Sequence, residues 1–312
     1  MVFPTERQKN IGQAQKVIVS VNPKAGARSS KSSVEELVDL LQAADLEVTV
    51  TSDIDQVASQ SEEWMSTDQL RAVVAAGGDG TASLVAEKTA RGTPIALLPQ
   101  GTENLLSKYL KIKPDPKSVS ELILQGDLIE LDAGRANGRL FLIMLGCGFD
   151  AEVVRRLDET RSGHINHLTY AKPILQSIFS YDYPEIQIDD FSESGHPLSA
   201  DAKWAFVINL PRYAVGLQIA PKALGTDEQL DLCAFREGSF LSGLTYLTGI
   251  LLGQHESWQD CIMKQSNRFR LTSEQKVPYQ IDGDPGGYLP VDIEVAPKRL
   301  CVFAPQEFVE NY

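Results

Sequence analysis

The chain has 312 residues, 43% of them apolar, and a net charge of −13. That length holds one large domain or two ordinary ones. The acidity argues against the basic surface of a general nucleic-acid binder and against purely electrostatic attachment to an anionic membrane.

Residues 1–15 contain no apolar h-region and read as a disordered leader rather than a secretory signal. Residues 17–21 form a short apolar strand. The segment after it, Asn22-Pro23-Lys24-Ala25-Gly26-Ala27-Arg28, is either a solvated turn or a loop whose glycine and basic side chains meet phosphate. Ser33 and Glu36 have capping-box spacing, and Val34, Leu37, Val38 and Leu41 follow at helical intervals. A strand at 46–51, a helix at 55–65 and an apolar strand at 71–76 come next.

That strand runs into Gly77-Gly78-Asp79-Gly80-Thr81, and a helix over 81–90 follows. Glycine allows close backbone approach to a ligand. The helix N-terminus supplies N–H groups and a positive dipole end. This suits a polyphosphate, with the Asp79 carboxylate suited to Mg²⁺ or its water shell. A strand at 95–98 leads to Gly101-Thr102-Glu103-Asn104, where Thr102 and Asn104 offer neutral hydrogen bonds or an ordinary N-cap. A helix carrying Leu105, Leu106, Tyr109 and Leu110 follows. Alternating β and α with apolar strands predicts a doubly wound parallel sheet, with ligands beyond the carboxyl ends of its strands.

Near Asp132 the character changes. Strands are expected at 140–145, 184–188, 203–210, 230–235, 269–272, 277–281, 291–295 and 300–303, and helices at 151–158, 168–179 and 240–252. This pattern predicts an antiparallel β-sandwich. The division is therefore an α/β phosphate-binding domain over 16–132 and an all-β domain over 133–312, with the C-terminal tail packing back on the first. The cleft between them is the default active site. His164 and His167 lack a third metal ligand nearby. Cys147, Cys233, Cys261 and Cys301 are widely spaced and form no CxxC pair, so reduced thiols in the cytoplasm are expected. Residues 239–254 are uncharged, too short to span a bilayer, and read as a buried helix. Asp282-Gly283-Asp284 puts two carboxylates in a late turn, where Asp and Gly are also ordinary turn formers.

Taken together, these segments resemble a bacterial lipid kinase of the diacylglycerol kinase catalytic-domain superfamily, which includes sphingosine and ceramide kinases. Asn22-Pro23 with Gly26 resembles its first nucleotide loop. Gly77 to Thr81 matches GGDGT, and Gly101-Thr102 with Asn104 resembles GTxN. Gly146, Gly148, Phe149 and Asp150 resemble GxGFDA, and Asp282-Gly283-Asp284 resembles DGE.

The resemblance implies ATP and Mg²⁺ as cofactors and a lipid hydroxyl, presented at a membrane surface, as acceptor. It puts ATP contacts at Thr51, at Gly77 to Ser83 and at Thr102. It implies a structural Mg²⁺ held by the Asp227 carboxylate and the carbonyls of Leu224 and Gln229. Asp79 would hold the nucleotide's Mg²⁺, with Asp132 joining that network. Asp282 or Asp284 would take the hydroxyl proton, with Asp282 the slightly better candidate because Asp284 is one methylene shorter than the motif's Glu. The chain departs from the pattern at Ala82-Ser83-Leu84, at Leu105, at Glu228 where the loop carries glycine, and in a glycine-rich turn reduced to Gly216. A kinase with a soluble substrate, similar to NAD kinase, and a non-catalytic nucleotide-binding lipid carrier are the alternatives.

Overall fold

The computed structural model describes residues 13–22, 28–159, 181–191, 199–212 and 217–310. Pro23, Lys24, Gly26, His164, His167, Gly216, most of the leader and the expected helix at 168–179 lie outside these residues. The chain divides into two units, Met1–Asp132 with Pro297–Tyr312, and Ala133–Ala296.

The first unit begins with β1 (Lys16–Val21), α1 (Arg28–Ala43), β2 (Glu47–Thr51), α2 (Ile54–Ser66), β3 (Leu70–Gly77), α3 (Asp79–Lys88), β4 (Pro94–Pro99), α4 (Leu105–Tyr109) and α5 (Pro116–Gln125). Its strands pair in the order β2-β1-β3-β4, all parallel. Every residue of β3 is buried, as expected of a strand covered on both faces. Helix α1 starts at Arg28, so Ser33 lies inside it and is not the cap its spacing predicts. The cap of α2 is Asp53, which accepts the Asp55 and Gln56 N–H groups at 3.0 and 3.3 Å. Helix α5, absent from the sequence reading, is signalled by Asp115 as N-cap and Pro116 in the first turn. The buried Arg71 side chain reaches its last carbonyls, with Nε donating to Ile123 at 2.8 Å.

Strand β5 (Asp127–Ala136) carries the chain onward into β6 (Arg139–Phe141), β7 (Met144–Cys147), α6 (Phe149–Glu159), β8 (Ile186–Asp190), β9 (Ser199–Ala202), β10 (Trp204–Ile208), β11 (Leu230–Phe235), α7 (Phe240–Leu251), β12 (Cys261–Ser266), β13 (Arg268–Thr272), β14 (Pro278–Ile281), β15 (Asp284–Tyr288), β16 (Val291–Ala304) and α8 (Gln306–Glu310). Within the second unit one antiparallel sheet runs β12-β11-β10-β7-β14-β15. The other contains the first part of β16 with β13, β8 and β9, again antiparallel. Leu145, Val207 and Leu232 from one sheet meet Ile188, Phe269 and Ile293 from the other in a single apolar core. This is the sandwich the strand pattern predicts.

The segments expected as separate strands at 291–295 and 300–303 are one strand, β16. Its later part belongs to the first unit, where Cys301 and Val302 pair in parallel with Pro94 and Ile95 of β4. Buried Asp132 fixes that return by accepting the Lys298 N–H at 2.7 Å. Arg299 donates to the Ala86 and Thr89 carbonyls, and the Phe308 ring sits edge-on to Tyr109.

Helix α7 is not the buried helix that its apolar sequence suggests. Gly243 faces Trp204 and Gly249 faces Trp258, each so closely that an added Cβ would lie under 3.0 Å from the indole. Tyr246 stacks on Phe235. The helix therefore buries its small residues and Tyr246, and turns Leu241, Leu244, Leu247 and Leu251 outward.

Candidate functional site

The carboxyl ends of the parallel strands carry the first cluster of sequence-singled residues. Two loops there are locked together. The Gly77 carbonyl accepts the Gln100 N–H at 2.9 Å. A Cβ on Gly101 would stand 2.6 Å from the Gly78 Cα, and one on Gly77 would stand 2.2 Å from Thr81 Oγ1. Glycine at 101 is thus a requirement of backbone packing, and glycine at 77 of the packed Thr81 side chain. Asn104, with φ +48°, closes the second loop on itself by accepting the Gly101 N–H at 2.9 Å and donating to the Gly101 carbonyl at 2.7 Å.

Asp79 joins the same structure. Its Oδ2 accepts the Leu105 N–H at 2.8 Å and its Oδ1 the Leu106 N–H at 3.0 Å. Burial raises its carboxyl above the ordinary carboxylate range, and these N–H bonds pull against that rise. The first turn of α3 has Gly78 as N-cap, with no side chain capping it. Gly80, Gly101 and Thr102 are exposed, and Ser83 is half-buried on α3. Asn22 Nδ2 lies 3.5 Å from Thr81 Oγ1. Thr51 Oγ1 donates to Gln56 at 2.6 Å and accepts the Asp53 N–H at 3.1 Å, so it helps build the start of α2. Beside these strand ends lies a pocket of about 450 Å³, with Asn22, Lys31, Glu35, Val50 and Gln100 among its lining. Lys31 escaped the motif-based reading because it belongs to no glycine signature.

The second cluster is within the sandwich. Asp282 and Gly283 have φ +49° and +87° and turn β14 into β15, the Asp-Gly form of a type I′ hairpin. Asp282 was the preferred base on side-chain length, yet its carboxylate is already engaged. Oδ2 accepts the Leu142 N–H at 2.7 Å, and Oδ1 accepts those of Ile143 and Met144 at 2.9 and 3.0 Å. Fully buried Gln280 orients the hairpin. Its Oε1 accepts the Gly283 N–H at 2.8 Å and its Nε2 donates to Asp150 at 3.1 Å. A Cβ on Gly146 would collide with both side chains, which gives that glycine its reason. Asp284 is half-exposed, with Arg139 Nη2 at 3.9 Å. Asp132 is occupied with the Lys298 N–H, as described above.

The third cluster is the 224–231 loop. Glu228 takes φ +58°, the left-handed backbone that glycine adopts freely and other residues do not. Asp227 Oδ1 accepts the Gln229 N–H at 3.1 Å. Burial, then the neighbouring charges of Asp227 and Glu256, push Asp231 up to about 6. Among the described residues no group of three or more His, Cys, Asp and Glu side chains is arranged to hold a metal. The three groups the resemblance names, the Asp227 carboxylate and the Leu224 and Gln229 carbonyls, are all oxygen donors, the type a hard cation would take.

Because the folded state favours protonated Asp231, its contribution to stability is present below about pH 4 and is lost as pH rises through 6. Asp231→Asn should therefore raise the melting temperature at pH 7.5, by about 1–2 kcal/mol of stability after solvent screening, with the gain shrinking toward pH 4. Mg²⁺ held at Asp227 should raise the wild-type melting temperature at pH 7.5 and narrow that gap. Melting curves with Mg²⁺ and with chelator check both effects. Identical wild-type curves would remove the cation from this loop.

Residues 16–136 match the diacylglycerol kinase catalytic domain family, and residues 144–304 match the YegS C-terminal NAD kinase beta sandwich-like domain. The chain is 26% identical over 316 residues to an uncharacterized protein of Synechocystis, covering 96% of this chain and 72% of that one. It is 23% identical over 300 residues to a diacylglycerol kinase of Bacillus subtilis, covering 93% and 96%. A crystal structure of a diacylglycerol kinase from Bacillus anthracis superimposes with a TM-score of 0.65 at 19% identity, covering 94% of this chain and 98% of that one, which is a likeness of fold.

Proposed function

The chain belongs to the diacylglycerol kinase catalytic-domain superfamily, and we propose that it transfers the γ-phosphoryl group of ATP to the hydroxyl of a diacylglycerol-like or sphingoid-like lipid. The observation that carries this reading is the fusion of two glycine loops at the carboxyl ends of β3 and β4, through the Gly77–Gln100 hydrogen bond and the Gly78–Gly101 contact. Phosphoryl transfer consists mainly of positioning and charge stabilisation. Backbone N–H groups of a rigid pair of loops, beside a helix N-terminus without a side-chain cap, suit that task.

In this reading the backbone from Gly77 to Thr81 and the Gly101-Thr102 pair cradle phosphate. Asn22, Lys31 and Gln100 line the neighbouring pocket for the rest of the nucleotide. Mg²⁺ supplies charge neutralisation to the phosphates when it arrives with ATP. Asp79, with both oxygens on α4 N–H groups, fits a positioning residue for the second loop better than a metal ligand. Asp132 fits a structural role at the return of the chain. Asp282 fits a positioning residue for the hairpin, which leaves Asp284 as the candidate base. The match of the second unit to an NAD kinase beta sandwich-like domain favours a soluble phosphate acceptor as the second reading.

The test is incubation of the protein with labelled ATP, Mg²⁺, NAD and a detergent-dispersed total lipid extract. Label in an organic-phase lipid is the expected result. Label in NAD with none in lipid would replace the lipid by a soluble acceptor. Nucleotide binding without transfer to either would make the protein a carrier.

A further inference from the structure

Cys233 and Cys261, 28 residues apart in the chain, bring their sulfurs to 3.9 Å. We propose that these two thiols are a peroxide-sensitive pair, closed to a disulfide by hydrogen peroxide and reopened by small thiols. The pair stands apart from the reaction and acceptor proposed above, and its test does not depend on them.

The sheet builds the pair. Strands β11 and β12 are antiparallel, with Cys233 opposite Met263 and Phe235 opposite Cys261. Residues two apart on a strand share a face, as do residues directly opposite on neighbouring strands. Cys233 and Cys261 are therefore diagonal neighbours on one face. Leu230, Leu232 and Ala234 of β11 turn into the sandwich core, so the cysteines lie on the other face with Phe235. Chain spacing hides this contact, because strand register makes it. Diagonal neighbours are about 7–8 Å apart, at the upper end of what a disulfide bridges. Closure thus draws Cys261 toward Cys233. β12 can yield to that pull, since it is the edge strand of its sheet.

The two sulfurs are not equivalent. Cys233 is fully buried, whereas Cys261 is partly exposed at the start of β12. The Cys233 S–H donates to the Cys261 sulfur. That bond holds the Cys261 thiol below its ordinary range, against partial burial and the neighbouring charges of Asp260 and Glu256. The same bond, with burial, pushes the Cys233 thiol up. Cys261 is accordingly the nucleophile and Cys233 the resolving thiol. Cys147 and Cys301 are buried, which shields them from peroxide.

The chemistry has two steps. The Cys261 thiolate attacks one peroxide oxygen, the O–O bond breaks, and the departing hydroxide takes up the proton that Cys261 released. Cys261 is then a sulfenic acid. The Cys233 sulfur attacks the Cys261 sulfur, an S–S bond forms, the S–O bond breaks, and hydroxide leaves as water with the Cys233 proton. The two thiols together lose two electrons, and one peroxide becomes two waters. Thiol exchange with dithiothreitol restores both cysteines.

The experiment is treatment of the folded, reduced protein with hydrogen peroxide, followed by intact mass and peptide mapping without reduction. Wild type should lose two hydrogens, and the map should join Cys233 to Cys261 with Cys147 and Cys301 still alkylated after unfolding. Dithiothreitol should return all four thiols. Cys233→Ala should hold a sulfenic acid on Cys261 that dimedone traps, and further peroxide should carry it to sulfinic acid. Cys261→Ala should keep its three remaining thiols at the same dose. The wild-type map needs no variant, so a variant that fails to fold leaves the test intact. Four free thiols in wild type after excess peroxide would overturn the proposal. So would a bridge between any other two cysteines, or oxidation of wild type only to dimers linked through Cys261.

Discussion

Asp79→Asn is expected to lower kcat/KM for ATP by about 10²-fold, because a misplacement of about 1 Å in a positioning element can cost that much. The carboxylate is the tie between the two loops, through its bonds to the Leu105 and Leu106 N–H groups. Asparagine keeps one acceptor oxygen and turns an NH₂ group toward the other N–H, so the start of α4 must shift. Global stability should change little. Losing one acceptor is unfavourable, but the substitution also removes a buried charge that its surroundings disfavour. Steady-state kinetics over a Mg²⁺ titration, alongside melting curves, check this. Persistence of the defect at saturating Mg²⁺ is the expected outcome. Recovery at high Mg²⁺ would return Asp79 to the role of metal ligand.

The hairpin carboxylates should separate. Asp284→Asn is expected to lower the single-turnover rate by about 10²–10⁴-fold without changing stability or ATP affinity, because this half-exposed side chain meets the half-exposed Arg139 guanidinium at 3.9 Å, a surface pair of little energetic weight. Asp282→Asn should reduce rate and stability together, by about 2 kcal/mol for the latter, since three backbone N–H groups depend on that carboxylate. Asp284→Glu should retain or raise the rate. A normal rate in Asp284→Asn with a collapse of rate but intact melting in Asp282→Asn would exchange the two roles. ATP titration distinguishes either from damage to the nucleotide loops.

Much of the first unit was legible because its signals are local. An apolar run that ends in glycine and then turns to helical spacing specifies a buried strand, a close-approach turn and a helix within a few residues. β3, the Gly77–Thr81 loop and α3 follow that order. The Asp282-Gly283 turn was legible for the same reason, since only a few residue pairs suit two successive positive φ values. The capping box at Ser33 misled because the spacing of Ser and Glu says nothing of residues farther upstream that also favour helix. The identity of α7 as a helix was plain, but its orientation was not. A 43% apolar chain makes burial the default for leucine, whereas here glycine at Gly243 and Gly249 lets the indoles of Trp204 and Trp258 take the inner face.

The sequence by itself determined the alternation of elements, the turn to a β-rich second half and the glycines that loops near phosphate require. These rest on periodicity and on backbone sterics, which act between near neighbours. Only the tertiary structure decided what each carboxylate does. Asp79 meets N–H groups 26 and 27 residues away, Asp132 one that is 166 away, and Asp282 three that are 138 to 140 away. A buried carboxylate must find donors wherever the fold brings them, and no local pattern records where that is. The tertiary structure likewise decided that β16 serves both units. Its first half pairs with β13 and its later half with β4, partners that no local pattern in 291–304 records.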